Sequence, residues 1–509
     1  MQFVLLLALL LGIFIFRRYL KARREQKVLN AIAREHGCLP PPLLENQRPL
    51  GVDRLEQIFR AEAETRLMEL FLFHFRQTGY TLKQVFLLTP AYGTVDPANL
   101  EAMFSTNFSD WSFGPRRDIT FPMFGDGIFT QEGDAWRQSR EILRPQLVHR
   151  QYEDLQVFQQ PVEDLLGILP KAGGVVDLQP LFFRFTLEVT TAFLFGKSIN
   201  SLLIPEDSQE QTFAQAFDTA QSYVASRFRL LDLYWLIGGR KWRDACAQVH
   251  MFADQIIDQN LSNSEKAEGQ NDGRYVFLKS VAKASPDRAS LRGQIINILA
   301  AGRDTTACLL SWTFFLLIRH PRIMEKLRSE ISALPVKEED MRRADLRNLH
   351  YLQNILKETL RLYPSLPVNT RTSTKNTILP TGGGPDRKSP VLIPKGTAVA
   401  YSVYTLHRRP DLYGMDAECF RPERWDEDLP VFRDRTTQNY GYLPFHGGPR
   451  ICLGMDFALT EAAYIITRIL QRYPKVALPD GEKVELLGVE KQITTLVLKV
   501  AEGCKVELG

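Results

Sequence analysis

With 509 residues, 44% hydrophobic and 24% charged, the chain has the balance of a globular protein with a large core, which excludes a disordered or fibrous class. Lys and Arg number 63 against 59 Asp and Glu, so the formal charge is only +4 and no nucleic acid partner is implied. The six cysteines, Cys38, Cys246, Cys308, Cys419, Cys452 and Cys504, show no paired spacing, which fits a body kept in a reducing compartment.

The first element is an apolar run from Phe3 to Phe16, followed at once by the basic residues Arg17, Arg18, Lys21, Arg23, Arg24 and Lys27. As a helix the run spans about 21 Å, short of a ~30 Å hydrocarbon core unless flanking side chains snorkel or the bilayer thins. We read residues 1–20 as an N-terminal transmembrane anchor, with the basic cluster on the cytosolic side. A cleaved signal peptide is the rival; no basic region precedes the run and no small-x-small site follows it. Residues 21–45, basic and then proline-rich through Pro40, Pro41 and Pro42, form the expected hinge, and 46–509 the catalytic domain.

Most long segments of that body carry helical periodicity, while strand-like runs are short and sit near residues 391–404 and the C-terminus, so the class is mainly α with a minor sheet. Phe104, Phe108, Phe113, Phe121, Phe124 and Phe129 crowd the segment before Trp136, as an apolar wall or as plain core. Trp136 and Arg140 share a helix face at i and i+4. Arg137, Arg144 and Arg150 give the same region a basic patch, either a docking surface for an acidic protein or a solvated face. The polar residues 262–274 read as a surface loop between helices.

From about Leu291 to Arg319 an apolar stretch encloses "AAGRDTTA", residues 300–307, where Asp304, Thr305 and Thr306 need a reason inside a buried helix. Thr305 can bond back to the carbonyl of Ala301 and, beside Gly302, bend or open the helix, making room for a small ligand. A kink satisfied by its own backbone is the plainer alternative. In "KETLRLYP" Glu358 and Arg361 lie three apart on one helix face. The turn-rich residues 381–390 hold Gly382 to Gly384, but no Lys-Ser or Lys-Thr pair follows to make a phosphate loop.

Last comes "FHGGPRICLG", residues 445–454, before an apolar helical stretch from Met455 to about Tyr473. Cys452 therefore lies just ahead of a helix N-terminus, where N–H groups and the dipole lower a thiol pKa and prepare a metal ligand. Gly448 can take a positive φ, and Gly454 lets backbone approach a flat cofactor. Phe445 would shield the sulfur and Arg450 would meet an anion. No second Cys or His stands at zinc-ligand spacing; a free buried cysteine is the plain alternative.

The cysteine run resembles the haem-binding loop of the cytochrome P-450 monooxygenases, and the match extends through "AAGRDTTA", "KETLRLYP" and "FRPERW" in the same order. The resemblance implies the cytochrome P-450 fold, haem b with Cys452 as axial iron ligand, and Arg450, Trp136, Arg140 and Arg371 at the propionates. Ala301, Phe445 and Gly454 would also contact the cofactor. It further implies Asp304 and Thr305 as an acid-alcohol pair relaying protons during oxygen activation, and a buried structural triad of Glu358, Arg361 and Arg424. Electrons would come from NADPH through a membrane-bound flavoprotein reductase, O2 would be the second substrate, and the enzyme would sit on the endoplasmic reticulum with a cytosolic catalytic domain.

"NILAAGRDTTA", "LYPSLPVNTR" and "LPTGGGPD" are most similar to the fungal n-alkane and fatty-acid hydroxylases, which implies terminal hydroxylation of a long-chain aliphatic substrate. The shorter anchor and the polar Thr370 and Thr372 depart from that pattern, so a terpenoid or polyketide intermediate stays open. Two other readings are a haem-thiolate isomerase, against which the intact Asp304-Thr305 pair stands, and a non-catalytic membrane haem carrier or sensor.

Overall fold

The computed structural model describes residues 2–86, 89–147, 152–171, 173–196, 198–203, 209–266, 277–284, 287–335, 340–482, 484 and 490–509. These fall into two units, each assembled from separate stretches: 1–56, 72–114 and 369–402 in the first, 57–71, 115–368 and 403–509 in the second. Because the stretches interleave along the chain, no linker separates the units, and none is visible in the sequence.

In the first unit, helix α1 (Gln2–Glu35) runs unbroken through the basic cluster. Phe3, Leu6 and Leu9 on its apolar half are exposed, as are Leu10, Leu11, Ile13, Phe14, Ile15 and Phe16. No described helix is long and apolar enough to cross a membrane. The apolar run gives way to Arg17 and Arg18 too soon, so the expected spanning segment is not a feature of this structure.

The proline run is fastened rather than free: Pro40 O accepts from Gly384 N at 3.0 Å and Pro42 O from Lys83 N at 2.8 Å. Strands β1 (Thr81–Phe86), β2 (Thr89–Thr94), β3 (Trp111–Ser112), β4 (Val368–Ser373) and β7 (Ala398–Ser402) build a sheet in the order β1-β2-β7-β4-β3. Its β1-β2 hairpin pairs Thr81 with Thr94, and β2 runs parallel to β7 with Tyr92 opposite Val399. Between them in sequence, β5 (Thr377–Gly383) and β6 (Ser389–Ile393) form a hairpin whose turn carries the glycine run.

The second unit is helical. Its relevant members are α2 (Gly133–Leu143), α3 (Leu178–Phe195), α4 (Gln209–Arg229), α5 (Arg288–Arg319), α6 (His350–Leu362) and α7 (Met455–Arg472). The central α5 begins where the Asp287 carboxylate accepts from Ser290 N at 2.8 Å, satisfying an otherwise orphan donor. It is buried nearly all round, and its Trp312 stacks on Tyr363 with ring centroids 3.8 Å apart. Helix α3 is capped by Asp177 and stops at Gly196, whose φ of 70° suits glycine.

Helices α3 and α5 approach closely because Gly302 has no side chain: a Cβ there would lie 2.5 Å from Thr190 Oγ1. Helix α6 ends at Leu362, two residues before Pro364, as the steric demand of proline on the preceding residue requires. Short strands, Gly174–Asp177, Val476–Ala477 and Lys505–Leu508, make a small sheet, and Gln492–Thr494 with Leu498–Val500 make a hairpin. Residues 262–266, expected as loop, continue the helix Arg240–Lys266, and residues 267–274 of that expected loop lie outside the described residues.

Candidate active site

The loop ahead of α7 is shaped by two left-handed residues, His446 (φ 65°) and Gly448 (φ 66°), and is closed by a hydrogen bond from Cys452 N to Phe445 O at 3.0 Å. Helix α7 is in turn anchored at its first turn. Asp456 accepts from Arg343 through Nε at 2.8 Å and Nη2 at 2.7 Å, and from Tyr152 Oη at 2.8 Å. That clamp fixes the helix N-terminus behind Cys452.

Cys452 is accessible, yet it lies deep in the protein mass, where burial pushes its thiol pKa up against the Gly454 N–H and the Arg140 charge, which pull it down. In that balance desolvation outweighs the helix N-terminus and the Arg140 charge. Gly454 has no atom within 4 Å of where a Cβ would stand, so open space lies beside the sulfur's own loop.

Cations gather at the same place. Arg450 lies over the buried Trp136 ring at 4.2 Å and donates from Nη2 to Gln131 O at 3.1 Å, while Arg140 lies 6.0 Å from that ring. The second unit thus brings together Trp136, Arg140, Phe445, Arg450, Cys452 and Gly454. Arg371 belongs to the first unit, buried among Phe113, Phe104 and Tyr401 at 4.6, 5.5 and 5.7 Å, with Nη1 donating to Thr370 O at 2.8 Å. Of the six phenylalanines before Trp136, Phe104, Phe113 and Phe124 are buried and Phe121 and Phe129 exposed. Arg137 and Arg144 are exposed, and Arg150 lies outside the described residues.

On α5, Thr305 Oγ1 donates to Ala301 O at 2.6 Å, as its place in the helix predicts, but α5 continues without a break. Ile298, Ala301, Gly302 and Thr305 are only partly buried, at i, i+3, i+4 and i+7, while the residues around them are buried. One stripe of an otherwise enclosed helix is therefore open. Asp304 is not on it. At 1% exposure it is turned toward α4, where Gln221 Nε2 donates to Oδ2 and Arg303 Nη1 lies 3.2 Å from Oδ1. Burial raises its pKa against the opposing charges of Arg303 and Lys499.

Glu358, Arg361 and Arg424 meet with no exposure at all. Arg361 donates to both Glu358 oxygens at 2.8 Å, and Arg424 Nε to Oε1 at 3.2 Å. The sequence reading missed Asp416, which accepts from Arg424 Nη1 at 2.8 Å, and the α4 residues around Asp304. No local spacing signals either: Gln221 lies 83 residues from Asp304, and Asp416, though only 8 residues from Arg424, sits in a turn that follows no helix or strand period.

A profile of the cytochrome P450 family matches residues 84–498. "Cytochrome P450" of Arthroderma benhamiae is 42% identical over 97% of this chain and 95% of its own length. "Cytochrome P450 52A13" of Debaryomyces hansenii is 39% identical over 94% and 92%, and "Cytochrome P450 52A5" of Candida maltosa 42% identical over 82% and 80%. Among solved structures, the haem domain of cytochrome P450DA superposes with a TM-score of 0.76 at 21% identity, covering 93% of this chain and 98% of that one.

Proposed function

The chain belongs to the cytochrome P450 family, and from that membership we propose that it hydroxylates a long-chain aliphatic substrate, an n-alkane or fatty acid, at its terminal carbon. It is a haem-thiolate monooxygenase, an oxidoreductase supplied with electrons by a reductase. Bound haem b supplies oxygen activation and C–H hydroxylation. The residues present fit that group: an accessible thiol at Cys452, open space beside Gly454 for a flat ring, and the guanidiniums of Arg140 and Arg450 around Trp136 for two carboxylates. The observation that carries the reading is the accessible thiol of Cys452, with open space beside its own loop at Gly454 and the Arg140 charge acting on it.

In this reading Cys452 would ligate the iron, Phe445 O fixes its loop by accepting from Cys452 N, and the Gly454 N–H steadies the sulfur. The Glu358, Arg361 and Arg424 triad is structural, holding the loops behind the site. Thr305 presents its hydroxyl on the open stripe of α5, and Asp304, the proton source in this reading, would reach it by rotating its carboxyl off Gln221 and Arg303. The substrate reading is supported by the shared identity with the 52A relatives over most of the chain and by the motifs most similar to the fungal hydroxylases. Attachment to the endoplasmic reticulum membrane, with the reductase as partner and the body cytosolic, is supported by the exposed apolar half of α1 and the basic residues after it.

The test is reconstitution with a flavoprotein reductase and NADPH against n-alkanes, fatty acids and terpenoids. We expect hydroxylation at the chain terminus and a reduced carbon monoxide complex with the family's red-shifted band, lost in Cys452→Ala. A band unchanged in the variant overturns the ligand assignment, and oxidation of the terpenoids alone overturns the substrate.

A further inference from the structure

Asp304 faces away from the open stripe of α5, and the groups that hold it there come largely from α4. Gln221 Nε2 donates directly to its Oδ2. Arg303, only 4% exposed and packed 5.4 and 5.5 Å from the rings of Phe183 and Phe217, is shared between two carboxylates. Its Nη1 reaches Asp218 Oδ1 at 2.7 Å and Asp304 Oδ1 at 3.2 Å, and its Nη2 reaches Asp218 Oδ2 at 3.3 Å. Thr186 on α3 fixes the backbone at this point by donating to Arg303 O at 2.7 Å. Lys499, on the Leu498–Val500 strand, faces both carboxylates, and Cys308, one turn along α5, is the other titratable group in the cluster.

Two residues of α4 therefore act on one carboxyl in opposite senses. Gln221 stabilises its ionised form by donating to it. Asp218 does the reverse, both by drawing off the guanidinium that would otherwise serve Asp304 alone and by its own negative charge.

We propose that Gln221 and Asp218 are positioning residues for Asp304: α4 holds the carboxyl turned from the open stripe and sets how readily it gives and takes a proton. The proposal rests on the reading of Asp304 as a proton donor in the reaction.

The test uses the full haem-loaded chain with its reductase and follows hydrogen peroxide released per NADPH consumed as pH is varied. Asp304→Asn flattens the pH dependence. Gln221→Met, which keeps the side-chain volume and removes the donor, moves the midpoint upward by about one pH unit, whereas Asp218→Asn moves it downward by a similar amount. A merely structural role moves both the same way. Separately, thermal unfolding without NADPH is measured for Gln221→Met, Asp304→Asn and the double variant; the double variant loses less than the sum of the two. If Asp304→Asn leaves the pH dependence intact, the proton-donor reading falls. If it flattens the dependence but the α4 variants shift together or not at all, or if the thermal losses simply add, the positioning role falls while the donor stands.

Discussion

At the scale of single residues, the buried carboxyls differ in whether cations compensate them. Glu358 is fully buried and accepts from Arg361, Arg424 and Trp425, so its charge is compensated on every side. Glu188 on α3 is as deeply buried, but the groups that donate to it are neutral: the Leu202 N–H at 2.5 Å, Ser201 Oγ at 3.4 Å and the Ser198 hydroxyl. Burial therefore pushes its pKa from the ordinary 4.5 up to about 7, with Leu202 opposing and Asp164 adding to the rise. The folded protein keeps this proton up to neutral pH while the unfolded chain gives it up near 4.5. Its contribution to stability is thus complete at low pH and is lost as pH climbs through that window. We expect the melting temperature of the native protein to fall from about pH 5 to about pH 8 more steeply than that of Glu188→Gln, whose amide can still accept from Leu202. Parallel curves for the two proteins would show that Glu188 is ionised throughout. None of this was legible in the sequence, where Glu188 is one acid among 59 acidic residues, whereas Cys452 and the Glu358-Arg361 pair stood out because their partners lie within a turn or a loop of them.

At the scale of elements, the contact between α3 and α5 sets how the open stripe is presented. The sequence showed α5 through its length and its polar interruption, but it could not show that Gly302 serves packing as much as any bend. The helix is continuous, and the glycine's missing side chain is occupied by Thr190. A methyl group at position 302 would stand 2.5 Å from Thr190 Oγ1 and 3.0 Å from its Cγ2, so the Thr190 side chain or one of the helices must shift. Overpacking of this kind costs about 1–3 kcal/mol. Gly302→Ala is therefore expected to lower the unfolding free energy by that amount, and Thr190→Ala in the same chain to restore most of it. Chemical denaturation of the two single variants and the double variant measures this directly. A Gly302→Ala protein as stable as the native one would mean that the helices separate freely.

At the scale of the whole molecule, the proposed membrane attachment draws on two attractions on the same helix, whose sizes can be compared. The nine exposed large apolar side chains from Phe3 to Phe16 on α1 each gain roughly 1.5–3 kcal/mol on full burial, so even partial insertion sums to more than about 10 kcal/mol. The six basic residues behind them contribute at most about 1 kcal/mol each at an anionic surface, and salt screens that share. The apolar term therefore dominates, whether α1 lies in the interface or dips through a thinned bilayer. This yields a prediction that separates insertion from electrostatic adsorption. The full chain stays with sedimented membranes through a high-salt wash, and a chain lacking residues 2–16 is found in the supernatant, both showing the red-shifted carbon monoxide band. Release of the full chain by salt alone would assign attachment to the basic cluster. A truncated chain that still sediments would place the principal membrane contact on the catalytic body.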